Sequence, residues 1–154
     1  MEAQDVMTTG VISIKADNTV AEVIKILAEN KISGVPVVND AEQVIGIISE
    51  GDLVLRDSDL RPMHYFSFLN DVLEKESNID FEQAKMLLRS KVSSLMIKDV
   101  ITAKAKDSIE KVANLMANKK VNRIPIVDDD NKLVGIIARS DLIKTYLNAC
   151  CNCK

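Results

Sequence analysis

Cys150, Cys151 and Cys153 are the only cysteines of the chain and sit within four positions of one another. Thiolates hold soft metals, and a structural zinc site takes four of them or a thiolate and imidazole mixture. Cys-Cys-Asn-Cys supplies three ligands with no histidine near, so the motif is incomplete unless another chain adds a fourth, and a reduced tail is the expectation. Asp128-Asp129-Asp130-Asn131 carries the oxygen ligands that calcium prefers. It lacks the alternate-residue spacing and the distal Glu of a calcium loop, so it reads as a solvated hairpin turn. His64, the sole histidine, stands beside Tyr65 and Phe66 and reads as packing. No Ser, His and acid cluster and no Gly-rich phosphate loop occurs, so neither an enzyme nor a metal site is expected.

The elements that could position other chemistry belong to a small protein. The chain has 154 residues, 47% apolar and 28% charged, enough for one compact domain or two small ones. Its charge of 20 − 23 = −3 is not gathered into a basic stripe, and Tyr65, Phe66, Phe68, Phe81 and Tyr146 offer no platform for successive bases. Nucleic acid is therefore not an expected partner. The longest apolar stretches, such as residues 44–48, fall far short of the ~20 that span a bilayer, so no membrane partner is expected. The opening Met-Glu-Ala-Gln-Asp has neither the basic nor the apolar region of a secretory signal, and a cytoplasmic location is the expectation.

One feature dominates the rest. Sliding the chain against itself by 89 residues superposes residues 7–53 on 96–142 without a gap. Each copy reads alike. Residues 11–14 and 100–102 are short β-branched runs that predict a first strand. Val20, Val23, Ile24 and Leu27, and in the second copy Ile109, Val112, Ala113 and Met116, mark amphipathic helices. Thr19 with Glu22, and Asp107 with Glu110, have capping-box spacing at the helix starts. Val-Pro-Val-Val and Ile-Pro-Ile-Val then predict a strand, a polar turn follows, and Val-Ile-Gly-Ile-Ile and Leu-Val-Gly-Ile-Ile predict its hairpin partner. Pro36 and Pro125 cannot donate to a ladder and should sit at a strand start or on a side without a partner. A second helix should open near Ser49 and near Ala138.

The duplicated order β-α-β-β-α, the Pro-containing strand and the Gly-Ile-Ile-x-x-x-Asp-Leu ending resemble the cystathionine β-synthase (CBS) domain family. The resemblance covers about 100 of the 154 residues. It implies an α/β (α+β) fold of tandem CBS repeats packed about a pseudo-twofold axis, a Bateman module. It also implies a homodimer, to which the apolar helix stripes beginning at Val20 and Ile109 would add. Such modules sense adenosine-containing ligands, hence cellular energy state, without catalysis.

What the resemblance implies about residues is specific. One cleft would take Ser49 and Asp52 from the first copy with Val100, Val121, Asn122 and Arg123 from the second. The other would take Ser140 and Asp141 with Val11, Ile32, Ser33 and Gly34. In each, a carboxylate would accept the two ribose hydroxyls, a hydroxyl at a helix start would favour phosphate and aliphatic residues would sandwich adenine; in the first, Arg123 would also grip phosphate oxygens. The bland alternatives are that Asp52 and Asp141 are ordinary first-turn acids, Ser49 and Ser140 ordinary caps and Arg123 a turn residue. Both clefts depart from the family pattern. Ala138 stands opposite Ser49, Gly51 opposite Ser140 and Gly34 opposite Arg123. The first cleft keeps carboxylate, hydroxyl and guanidinium together and is expected to favour a phosphate-bearing ligand over the second.

The expected organisation is a first repeat over residues 1–56, a helical connector over 57–91 with helices at 64–73 and 81–92, a second repeat over 92–148 and a cysteine tail over 149–154. The expected function is a regulatory module binding AMP, ADP or ATP, with no resident cofactor and a separate protein as effector. The alternatives are a structural dimerisation module with decayed clefts, or a sensor of S-adenosylmethionine or NAD(H).

Overall fold

The computed structural model describes residues 1–53 and 81–151. The expected connector helix at 64–73 lies outside the described residues. Two compact units emerge, and neither coincides with one repeat. One contains Met1–Ser13, Val38–Ile45 and the described residues from Asp99 onward; the other contains Ile14–Val37 and the described part of Gly46–Lys98.

In the second of these, α1 (Val20–Asn30) begins at Thr19, whose hydroxyl accepts the Glu22 N–H while the Glu22 carboxylate returns to the Thr19 N–H. It ends at Lys31 in the left-handed conformation. Its predicted stripe, Val20, Val23, Ile24 and Leu27, is buried. β1 (Gly34–Val38) is buried throughout, as a strand covered on both faces must be. β2 (Val44–Ser49) alternates buried and half-buried residues, pairs with β1 and runs into α2 (Glu50–Leu53); the turn end of this hairpin, Val38–Ile45, belongs to the other unit. The connector contributes α3 (Phe81–Arg89), close to the expected 81–92.

In the other unit, the short β3 (Ala103–Lys104) lies parallel to β4 (Arg123–Val127), which pairs antiparallel with β5 (Leu133–Ala138). α4 (Ile109–Lys119) and α5 (Arg139–Cys151) complete it. Ile109, Val112, Met116, Ile124, Ile126, Ile137 and Leu142 form the core. Pro125 faces Ile136 in the ladder, yet Ile136 directs both its N–H and its carbonyl to Thr8 on the far side. The missing proline donor therefore breaks no bond to β5. The stripe residues of α1 and α4 are buried, apart from Ala113, which is half-buried. The large apolar side chains exposed on α5 are Ile143, Tyr146 and Leu147.

Each unit borrows its opening segment from the other repeat. Ala3 N–H donates to the Asp107 carbonyl, Gln4 N–H to Ala105, and Thr8 exchanges two bonds with Ile136. Shifted by 89 residues, the same bonds recur as Val92 to Asn18, Ser93 to Ala16, and Ile97 with Ile47. Ala3 and Val92, both fully buried, open the two equivalent 3-10 turns, Ala3–Asp5 and Val92–Ser94. The chain then passes under a glycine. The Met7 thioether lies against Gly135 and that of Met96 against Gly46, where an added Cβ would meet the Met96 sulfur at 2.5 Å. These are close approaches that only glycine permits.

Two expectations are corrected. The first strand is not at residues 11–14 and 100–102. Ile14 alone bridges Val37, and the second-copy strand begins at Ala103, because pairing to Ile126 and Val127 sets the register and β-branching does not. The cap of α4 is Ser108, which accepts the Lys111 N–H, and not Asp107. Asp107 instead closes the preceding turn by accepting the Lys104 N–H at 2.8 Å, as Asn18 does for Lys15.

That turn makes stability pH-dependent. The Lys104 N–H, followed by Lys111 Nζ at 2.6 Å, holds the Asp107 carboxyl below its ordinary value. The Asn18 amide and the Thr19 N–H do the same for Glu22. A carboxyl depressed by folding contributes its stability in full above its unfolded value, near 4, and loses it as pH falls through the folded value. Thermal unfolding should therefore hold level from pH 7 to about 5 and decline below about 4. Asp107→Asn should flatten that decline; an acid limb of unchanged depth would contradict the assignment.

Candidate ligand-binding site

The last residue of β2 is Ser49, and three residues on Asp52 turns back onto it. Asp52 Oδ2 accepts both the Ser49 N–H at 2.8 Å and the Ser49 Oγ–H at 2.7 Å. The spacing is that of a capping box, in which an acid in the first turn satisfies the backbone donor that the strand leaves behind. Beside it, the Glu50 N–H donates to the carbonyl of Ser33, immediately before β1. Ile32 and Asp52 are half-buried, Ser33 is exposed and Gly34 is buried.

The other unit repeats the arrangement with one atom missing. Asp141 Oδ2 accepts the Ala138 N–H at 2.8 Å, and alanine has no hydroxyl to add. The Arg139 N–H donates to the Asn122 carbonyl, and Arg123 stands opposite Ala138 in the ladder. Val121, Arg123 and Asp141 are half-buried, while Asn122 and Ser140 are exposed. Val11 and Val100 are half-buried, the latter packed with Val38, Val44, Val127 and Leu133.

Within each unit, then, the residues before the Pro strand meet the residues that follow the hairpin. Ser33 and Gly34 join Ser49 and Asp52; Asn122 and Arg123 join Ala138 and Asp141. One expectation changes in kind. The Ser49 hydroxyl, expected to face phosphate, spends its single proton on Asp52. The Ser-x-x-Asp spacing was visible in the sequence; the bond between the two side chains was not.

Among the described residues no group of His, Cys, Asp and Glu is arranged to hold an ion. Asp128 Oδ1 instead accepts the Asp130 and Lys132 N–H groups, and Asn131 takes the left-handed turn position, so the acidic run is a hairpin turn. Cys150 and Cys151 fall within the last turn of α5, and Cys153 lies outside the described residues. No helix among the described residues is long and apolar enough to cross a membrane.

Two copies of a helix, a β-hairpin and a second helix, the second copy opened by a short parallel strand, each end on an aspartate that caps the strand-end N–H. The CBS domain model matches residues 3–59 and 92–148, and the chain belongs to the CBS domain family. An uncharacterized protein of Methanocaldococcus jannaschii is 34% identical over 96% of this chain and 92% of its own length. Among solved structures, CBSX2 in complex with AMP is 25% identical, with a TM-score of 0.73 over 96% of this chain and 97% of that one. The CBS pair of MJ0100, solved with 5′-methylthioadenosine and S-adenosyl-L-methionine, has the same fold at 20% identity, TM-score 0.72, covering 97% of this chain and 98% of that one.

Proposed function

We propose that this CBS pair is a regulatory module that binds an adenine nucleotide, AMP, ADP or ATP, with Asp52 and Asp141 as the ribose acceptors. The observation that carries the reading is the repeated carboxylate. Each is fixed by a backbone N–H on Oδ2, and its Oδ1 takes no bond from the described residues. A ribose presents two adjacent hydroxyl donors, and each charge-assisted bond to a carboxylate contributes about 1.5–3 kcal/mol. The AMP complex of CBSX2 supports the choice of ligand. Arg123 is assigned to phosphate and Val11, Ile32, Val100 and Val121 to adenine, with Ser33, Gly34, Asn122 and Ser140 at the margins. The working species is taken as a cytoplasmic homodimer that acts on a protein effector, with Ile143, Tyr146 and Leu147 offered to the second copy.

Thermal shift with AMP, ADP, ATP, S-adenosylmethionine and NADH tests this. At a hundredfold excess over the dissociation constant, linkage adds about 2.7 kcal/mol. In a chain of this size that raises Tm by about 5–10 °C. Sedimentation of the same samples should give twice the 17.0 kDa chain mass. A response to S-adenosylmethionine alone would reassign the ligand. No response at millimolar concentration, with a dimer present, would leave the structural dimerisation module as the function.

A further inference from the structure

The two carboxylates are not equivalent acceptors, and the difference is one hydroxyl. An ionised aspartate offers about four lone-pair positions, two on each oxygen. At Asp52 the Ser49 N–H and Oγ–H occupy both positions on Oδ2, which leaves only Oδ1. At Asp141 the Ala138 N–H occupies one position, so each oxygen retains room for a donor. A cis-diol sends two parallel O–H groups toward a carboxylate and is met best when each oxygen takes one, as in other two-point carboxylate contacts.

We infer that the Ser49 hydroxyl attenuates Asp52, so that Asp141 is the stronger ribose-diol acceptor and residue 49, with its counterpart 138, sets the ranking of the two half-sites. The inference rests on the ribose reading above and reverses the order expected from counting functional groups. Ser49 is a positioning residue, since it acts through the Asp52 carboxylate and not on the ligand. Losing its donated proton frees one lone pair for a hydrogen bond to the diol.

The test isolates each half-site and uses adenosine, whose lack of phosphate removes Arg123 from the comparison. In an Asp141→Ala background, where only Asp52 remains, Ser49→Ala should raise adenosine affinity about fivefold, and Ser49→Thr should restore the starting value. In an Asp52→Ala background, Ala138→Ser should lower affinity by a similar factor. Neither change should appear with 2′-deoxyadenosine, which has no diol. Melting temperature separates the role from a purely structural one, because Ser49→Ala removes the hydroxyl's bond to Asp52 and should lower Tm while raising affinity. Affinities that fall with Tm, or that ignore both substitutions while adenosine still binds, overturn the inference and leave the nucleotide reading standing. Absence of adenosine binding to the unsubstituted chain overturns both.

Discussion

Ala3→Asp should unfold the unit that contains most of the second repeat. The side chain is fully buried in the cluster built on Ile109, Val112, Ile124 and Ile137, although Ala3 lies 100 residues or more before all of them. Among the described residues no polar or charged side chain is buried, so a carboxylate there would find no partner prepared for it. An unpaired buried charge destabilises by about 3 kcal/mol or more, a large share of the 5–15 kcal/mol that holds a domain folded. Ala3→Ser, smaller and neutral, should be far milder. The equivalent position is Val92, and Val92→Ala should cost about 1–2.5 kcal/mol through the cavity it leaves in the other unit. Denaturant unfolding measures all three; an Ala3→Asp midpoint within error of the parent would contradict the segment exchange.

The second large effect is on binding. Asp141→Ala should weaken adenosine at the tighter site by about thirtyfold, the equivalent of ~2 kcal/mol for charge-assisted bonds to the diol. Asp52→Ala should alter the weaker isotherm and leave the tighter one in place. Because each aspartate also holds a strand-end N–H, both variants lose a first-turn cap, and each should melt about 1 kcal/mol lower in stability. Asp141→Asn and Asp52→Asn retain an acceptor for that N–H and separate the two consequences. Loss of affinity in the asparagine variants without loss of stability is the expected outcome, and parallel losses would show a purely structural role.

Much of this was legible in the chain because hydrophobic period and repetition are properties of residue type. The helix stripes, the Pro strands and the hairpins fall where the periodicity predicts. What was not legible depends on pairing. Residues 2–6 and 91–95 share no identical pair, so the repeat ends at Met7 and Met96 in sequence even though the backbone bonds continue upstream in the same register. The exchange between repeats was therefore hidden, and with it the reason for Gly46 and Gly135, whose Cβ positions are taken by methionine sulfur from the borrowed segment. The β-branched run at residues 100–102 promised a strand that pairing places at Ala103 and Lys104. At the site, the residue types identified two carboxylates, and only geometry revealed that a hydroxyl already occupies one of them.

The central claim is that two capped aspartates make this chain a nucleotide-binding module, and calorimetric titration of AMP into the Asp52→Asn/Asp141→Asn double variant tests it most directly. Both asparagines keep the strand-end N–H satisfied, and the unfolding midpoint should stay near that of the parent. The account predicts binding of AMP to the parent with micromolar affinity and a loss of a hundredfold or more, to no measurable heat, in the folded double variant. A double variant that binds AMP as the parent does would contradict it.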